Sequence, residues 1–185
     1  MPILGILASA ITGNLVTDAY ESIATTTLSS SASSITFSSI PATFKHLQIR
    51  ALFGTAGAGS AYIINFNSDT GNNYSYHYLN GNGASATVGA STSRAFTIVT
   101  DNSGAGVTTS PTAAVIDILD YTSTAKNKTV RSLVGSDGNG SGDIRLASGL
   151  YFATPAAITS ISFAGDGAST LAQHSKFALY GIKGA

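Results

Sequence analysis

The sequence feature that most constrains the fold is a segment, residues 44–53, in which apolar and polar side chains alternate. The apolar positions are Leu47, Ile49, Ala51 and Phe53, and the polar positions between them are His46, Gln48 and Arg50. A period of two residues is the signature of a β-strand that is buried on one side only. A shift of one residue would bury Arg50, so the pattern also predicts which side chains point inward.

Similar short runs of β-forming residues recur along the chain. The predicted strands are residues 20–28, 34–38, 44–53, 61–67, 74–79, 94–100, 113–121, 129–135, 143–153, 158–164 and 175–182. Gly, Asn and Asp are concentrated between them, and these residues favour tight turns. The last run, residues 175–182, has apolar side chains on both faces, which predicts a strand in the interior of a sheet. We therefore expect an all-β fold, an antiparallel two-sheet sandwich of jelly-roll type.

The composition fits one such domain with an unusually neutral surface. Of 185 residues, 43% are hydrophobic and only 10% are charged, against roughly a quarter charged in ordinary soluble domains. A chain of this length buries a core without disulfides. We predict a single β-sandwich domain over residues 17–185. Because a surface with few charges does not repel a second copy, the composition favours a protein that is largely covered by partners.

The first 16 residues are apolar and contain no charged side chain. A secretory signal needs a positive region before its apolar run, and a spanning helix needs about twenty apolar residues. Residues 8–10, Ala-Ser-Ala, imitate a cleavage site and leave a signal peptide as the alternative. We interpret residues 1–16 as an extended arm that docks on a neighbouring subunit rather than on a membrane. The predicted contact residues of the arm are Ile3, Leu4, Ile6 and Leu7.

Charge and catalytic residue types are sparse. Nine Lys and Arg balance nine Asp and Glu, and the cations are scattered, which argues against nucleic-acid binding. The three His residues have no metal-ligand spacing. Asp117 and Asp120 are three residues apart in one predicted strand, so they point to opposite faces. Nothing else marks the carboxylate pair that a glycan-cleaving enzyme needs. We predict no enzymatic activity and no cofactor.

One loop, residues 137–143, imitates the start of a calcium-binding loop. Asp137, Asn139 and Ser141 place oxygen atoms at alternating positions, and Gly142 follows them. The twelfth position is Ser148, where such loops carry a bidentate Glu. A plain hairpin loop is the alternative interpretation.

A second candidate surface consists of Tyr74, Tyr76 and Tyr78, which alternate along a predicted strand. Their rings are expected on one face, and phenolic rings suit a wet protein or glycan interface. The alternative is that they pack within the domain or cover a sheet edge.

Four blocks of sequence together resemble a known group of proteins. They are residues 34–50, residues 64–77, residues 115–121 with 126–132, and residues 175–184. The combination resembles small β-sandwich virion proteins of tailed phages, including cyanophages, over nearly the whole chain. The resemblance includes no catalytic motif. It implies a structural role in capsid decoration or in a tail or fibre appendage, usually as an oligomer.

The leading hypothesis is therefore a capsid decoration, or cement, protein of the virion. Its expected partners are its own copies, as a homotrimer or another closed ring, and the major capsid protein or tail proteins. The alternative is a tail-fibre or receptor-binding head that contacts a host glycan through its turn-rich loops and the face of the three tyrosines.

Overall fold

The structure is a computed structural model that describes residues 19–57, 59, 61–100, 106–153 and 155–184. These residues form twelve β-strands, and no helix among them could span a membrane. The strands are β1 (Tyr20–Thr27), β2 (Ser34–Phe37), β3 (His46–Phe53), β4 (Tyr62–Phe66), β5 (Tyr74–Gly81), β6 (Ala86–Arg94), β7 (Thr97–Thr100), β8 (Thr112–Leu119), β9 (Lys128–Asp137), β10 (Gly142–Tyr151), β11 (Ile161–Gly165) and β12 (Lys176–Ile182). The predicted arm, residues 1–16, lies outside the described part of the chain.

Eight of the strands form a jelly roll. One sheet contains β1, β12, β3 and β8 in that order, and the facing sheet contains β2, β11, β4 and β7. Strands from the first third of the chain, β1 to β4, pair with strands from later in the chain, β7, β8, β11 and β12. Every pair is antiparallel. This winding is the double-sheet arrangement of a jelly roll. The predicted fold class, an antiparallel two-sheet sandwich, is confirmed.

Two further hairpins extend one sheet of the jelly roll. The β9–β10 hairpin follows β8 along the chain, and the β5–β6 hairpin completes the sheet order β1-β12-β3-β8-β9-β10-β5-β6. The short strand β7 of the facing sheet packs over β10, β5 and β9. The last strand, β6, is exposed along most of its length. The added strands thus enlarge one sheet beyond the area that the other sheet covers.

Aromatic side chains fill the space between the two sheets. The ring of Phe53 lies 5.0 Å from Tyr62 and 5.2 Å from Phe163, in edge-to-face contacts. Phe163 also contacts Phe177 at 5.0 Å. Edge-to-face pairs at these distances add stability beyond the area they bury. The inward set predicted for β3 is confirmed, because Leu47, Ile49, Ala51 and Phe53 are all buried.

The predicted strands all appear, but one observed strand was missed. β6 consists mainly of Ala, Thr, Ser and Gly, and we predicted no strand over residues 86–93. Strand β5 also extends two residues beyond its predicted end, to Gly81. The C-terminal strand lies between β1 and β3, as its two apolar faces predicted.

Candidate interaction surface

The outer face of the eight-stranded sheet, which points away from the facing sheet, carries a row of exposed aliphatic side chains. We call this set the apolar row: Val115, Leu133, Leu146, Leu79 and Val88. The residues are directly opposite one another on five adjacent strands, so their side chains are neighbours. Their exposed fractions run from 40% at Val115 to 78% at Val88. An isolated exposed Leu is ordinary, whereas a contiguous apolar row is a candidate interaction site.

A second row lies beside the apolar row and has smaller side chains. It comprises Ala113, Gly135, Ile144, Gly81 and Ala86, in register across the same five strands. Much of this row lines a depression of about 900 Å³. The wall of the depression is formed by the ends of two hairpins, at residues 82–83 and 140–143. We call this feature the outer depression.

Two glycines shape the outer depression. Gly81 and Gly135 flank Ile144 on the neighbouring strands, and neither has positive φ. A Cβ atom at Gly81 would meet only the Ile144 side chain, at 3.9 Å, and one at Gly135 would come no closer than 3.4 Å to any atom. Folding therefore does not require glycine at either place. A glycine inside a strand often marks the close approach of another chain.

A polar network borders these rows. Gln48 donates a hydrogen bond from Nε2 to Asp117 Oδ1 (2.8 Å) and accepts one from Arg50 Nε (2.8 Å). The Arg50 guanidinium lies between the rings of Tyr20 and Tyr180, 5.4 Å from each. Gln48 was predicted on the solvent side of β3 and does lie there, but these neighbours bury it. The apolar surface thus has a defined polar rim.

Strand β10 exposes aliphatic side chains and buries a charged one, the opposite of the usual arrangement. Ile144 and Leu146 are exposed on the outer face, while Arg145 points inward and is only 3% exposed. The Arg145 guanidinium lies 3.9 Å from the centre of the Tyr78 ring, and its Nε donates to Asn80 Oδ1 at 3.4 Å. A register shift of one residue would bury the aliphatic side chains instead. The observed register exposes them and stacks the cation on an aromatic ring.

Tyr74 and Tyr76 do not form a partner-binding surface, and that prediction is corrected. Tyr74 is fully buried and Tyr76 is 9% exposed. The Tyr74 hydroxyl accepts a hydrogen bond from Phe66 N (3.0 Å) and donates to Asp69 O (3.2 Å). Its ring stacks on Tyr151 at 4.7 Å. Burial raises the pKa of the Tyr74 phenol, because the charged form would lose its hydration.

Tyr78 lies on the same inner face and is partly exposed near the open end of the sheet. Its ring contacts that of Tyr76 at 6.5 Å. It also covers Gly89 of the edge strand, where a Cβ atom would stand 2.4 Å from the ring. An aromatic side chain that covers an edge glycine stabilises strand pairing. The alternative interpretation, in which the tyrosines pack in the domain and cover a sheet edge, is therefore confirmed.

The turn after β4 is held by the carboxylate of Asp69. It accepts hydrogen bonds from Gly71 N (2.7 Å), Asn73 Nδ2 (2.9 Å) and the Tyr151 hydroxyl (2.9 Å). Partial desolvation opposes ionisation, but these three bonds outweigh it and lower the pKa of Asp69. The neighbouring Asn67 bonds a distant segment, because its Oδ1 accepts from the Thr159 N–H at 2.8 Å.

The candidate calcium loop is a β-hairpin turn. Asp137 pairs with Gly142, and Asn139 and Gly140 between them have φ of 58° and 101°. Two positive φ values in an Asn-Gly pair define the preferred two-residue hairpin turn. Asp137 Oδ1 accepts the Asn139 N–H at 2.8 Å, and Ser141 O accepts the Gly138 N–H. The loop thus has the geometry of a tight hairpin, and it forms part of the wall of the outer depression.

The charged groups outside this face form one main cluster. Asp120, in the turn after β8, forms ion pairs with Lys45 Nζ (2.9 Å) and Lys126 Nζ (3.2 Å). These hydrogen bonds lower the pKa of Asp120 to about 2. Asp117 lies on the outer face with Gln48, so the two carboxylates are separate. Within the described ranges, no three His, Cys, Asp or Glu side chains come together as a metal site would require.

The remaining predicted contact residues, Ile3, Leu4, Ile6 and Leu7, lie outside the described residues. The outer-face aliphatic residues were not predicted. A signal for them exists in residues 143–153, where Ile144, Leu146 and Leu150 alternate with Arg145. That pattern fixes two faces but does not say which one is covered by the other sheet. No family model, no curated protein and no solved structure matches this chain.

Proposed function

We propose that this chain is a virion structural protein that decorates the capsid as a cement protein and assembles through its outer face. The observation that carries the proposal is the apolar row beside the outer depression. It is a contiguous exposed apolar surface that crosses five adjacent strands. The resemblance to small virion proteins of tailed phages, described above, supplies the biological setting.

A protein of this kind works by binding rather than by chemistry. A decorating subunit adds stability to a shell because each contact contributes free energy only in the assembled state. Jelly rolls are a frequent architecture of capsid and lectin domains, although a fold alone does not fix a function. The low charge of the chain supports the proposal, since neutral surfaces allow copies to approach closely.

The proposed partners are other copies of the chain and the major capsid protein. Contacts that differ on the two sides of an interface close into a ring when the rotation between subunits allows it, and a homotrimer is the smallest such ring. The apolar row would lie at the contact between copies. The opposite surface of the sandwich would be left for the shell.

A tail-fibre or receptor-binding head is the alternative function, and it has lost its main support. Its glycan surface was predicted to comprise the turn-rich loops and the face formed by Tyr74, Tyr76 and Tyr78. Two of these side chains are buried in the domain. We therefore favour decoration.

The copy number of the chain in purified particles tests the proposal. Densitometry of denaturing gels measures it relative to the major capsid protein. A decoration protein is expected at a number of the same order as the capsid protein. A few copies per particle would contradict decoration and would favour a tail appendage, and absence from particles would contradict both functions.

A further inference from the structure

We propose that the outer depression of one copy binds the apolar N-terminal segment, residues 3–16, of a neighbouring copy. This inference rests on the proposed function, because it names the partner of the assembly surface. It follows from the size of the apolar surface, from the two glycines, and from the direction in which the chain leaves the sheet.

The apolar surface is too small for a sheet-to-sheet dimer and large enough for a single segment. Strands lie about 4.8 Å apart and residues of equal parity about 6.7 Å apart, so two rows on five strands cover roughly 300 Å². One side of a stable protein–protein interface covers about 800 Å². An extended segment crosses the same five strands, roughly 20 Å, with about seven residues.

The N-terminal segment has the chemistry that this surface requires. Between residues 3 and 16 it contains seven Ile, Leu and Val residues and no charged side chain. Buried charge without a partner is costly, and the charged side chains that line the outer depression, Arg50, Asp137 and Asp143, already have hydrogen-bond partners in their own domain. A neutral segment therefore suits this surface. Gly81 and Gly135 leave space on both sides of Ile144, where aliphatic side chains of the segment would fit.

The direction of the chain points to a neighbouring copy as the donor. β1 is the edge strand of the sheet, and Tyr20 at its beginning pairs with Ile182. Ala19 continues the pairing, because its carbonyl accepts the Lys183 N–H at 3.1 Å. The outer depression lies towards the other end of the strands, since Leu52 pairs both with Lys176 and with Ala113, a member of the second row. At residues 19–20 the chain, followed towards its N-terminus, therefore runs away from the outer depression of its own sheet.

The chain contains no Cys, so disulfide cross-linking between introduced cysteines tests the inference cleanly. One full-length variant carries Ile6→Cys, and a second, distinguished by a tag, carries Gly135→Cys. The two are mixed at a concentration where the wild-type chain is associated, and are then oxidised. The matched control replaces the second variant with Thr36→Cys, an exposed position of β2 in the facing sheet.

We expect the mixed disulfide with Gly135→Cys to exceed that with Thr36→Cys by about tenfold or more, because docking raises the effective concentration of the two thiols. Equal yields with both partners would overturn the inference. A chain carrying both Ile6→Cys and Gly135→Cys that closes an internal disulfide, while the mixture yields none, would also overturn it. That outcome would assign the segment to its own sheet.

A variant that fills the surface provides a second readout. Gly81→Val, introduced into the Gly135→Cys chain, should fold with an unchanged urea midpoint because the new side chain has room. We expect it to lower the mixed-disulfide yield by about tenfold, since bulk in a docking surface excludes the segment. An unchanged yield would contradict docking at this place.

The cross-linking experiment and the copy number fail independently. A high copy number in particles without the specific disulfide would reject the docking inference and leave decoration standing. A specific disulfide in a chain that is rare in particles would reject decoration and leave the docking inference standing.

Discussion

Strands β3 and β10 belong to the same sheet and distribute their side chains in opposite ways. In β3 the aliphatic Leu47 and Ile49 face the other sheet, and Arg50 faces outward. In β10 Arg145 faces inward, and the aliphatic Ile144 and Leu146 are exposed. Folding of the isolated domain explains the first arrangement. The second exposes apolar surface that folding alone would bury, and contact with a partner is the physical explanation we offer for it.

The inner side of β10 also explains how its register is maintained. Ala147, Gly149 and Tyr151 share the parity of Arg145 and are buried. Tyr151 stacks on Tyr74 and contacts Phe66 at 5.5 Å, which ties the end of β10 to the aromatic core. The register is therefore set by Tyr151 and by the small residues beneath β7, rather than by the aliphatic side chains.

The largest expected effect comes from Ile49→Ala in β3. Ile49 is fully buried, and truncation of such a side chain leaves a cavity that costs about 3–4 kcal/mol of unfolding free energy. Urea denaturation followed by fluorescence or circular dichroism measures the loss. A change below about 1 kcal/mol would show that the inner face of β3 is not part of a packed core.

A smaller loss is expected for Tyr151→Phe, at the end of β10. The change removes the hydrogen bond from the Tyr151 hydroxyl to the Asp69 carboxylate, and bonds to charged groups contribute about 1.5–3 kcal/mol. We expect a loss near the lower value, about 1.5 kcal/mol, because Asp69 is partly exposed and keeps two other donors. Tyr76→Phe is the control. Equal losses in the two variants would mean that the hydroxyl bond does not hold the register.

The Asp120 cluster, which links the start of β3 to the end of β8, predicts a pH dependence. The pKa of the Asp120 carboxyl is about 2 in the folded protein and about 3.8 in the unfolded chain. A lowered pKa means that the carboxylate stabilises the fold fully above pH 3.8 and loses this effect as the pH falls towards 2.

Asp120→Asn removes this contribution and tolerates the positive φ of the site (49°). The variant should therefore be slightly less stable than the wild type at pH 7, because solvent and salt screen such an exposed cluster. The difference in urea midpoint should shrink between pH 4 and pH 2. A difference that is the same at pH 7 and pH 2.5 would contradict the assigned ion pairs.

The smallest expected effect on stability is that of Ile144→Ala in β10. It makes the same chemical change as Ile49→Ala, but Ile144 is 58% exposed. We expect a change in unfolding free energy within about 0.5 kcal/mol. A loss as large as that of Ile49→Ala would remove the contrast between the two strands.

The sequence predicted the fold better than the interaction surface, for a physical reason. Alternation in residues 44–53 identifies a buried face when the other face is polar. It fails for β6, whose small polar residues give neither face an apolar character. It is ambiguous for β10, which has apolar residues on both faces. Which face of β10 is covered depends on where β7 packs, and that contact is distant in sequence. Alternation also does not show which face of β5 is covered, and Tyr74 was therefore predicted on the surface. Its hydroxyl in fact bonds the backbone at Phe66 and Asp69 inside the sandwich.

The central claim is that the outer face of the eight-stranded sheet joins copies of the chain. Sedimentation velocity over a range of concentrations tests it most directly, on the wild type and on the double variant Leu133→Ser/Leu146→Ser, with Thr36→Ala as the control. We predict that the wild type and the control form the same closed oligomer and that the double variant stays folded and sediments as a monomer. A wild type that remains monomeric at the highest concentration, or a double variant that assembles normally, would contradict the claim.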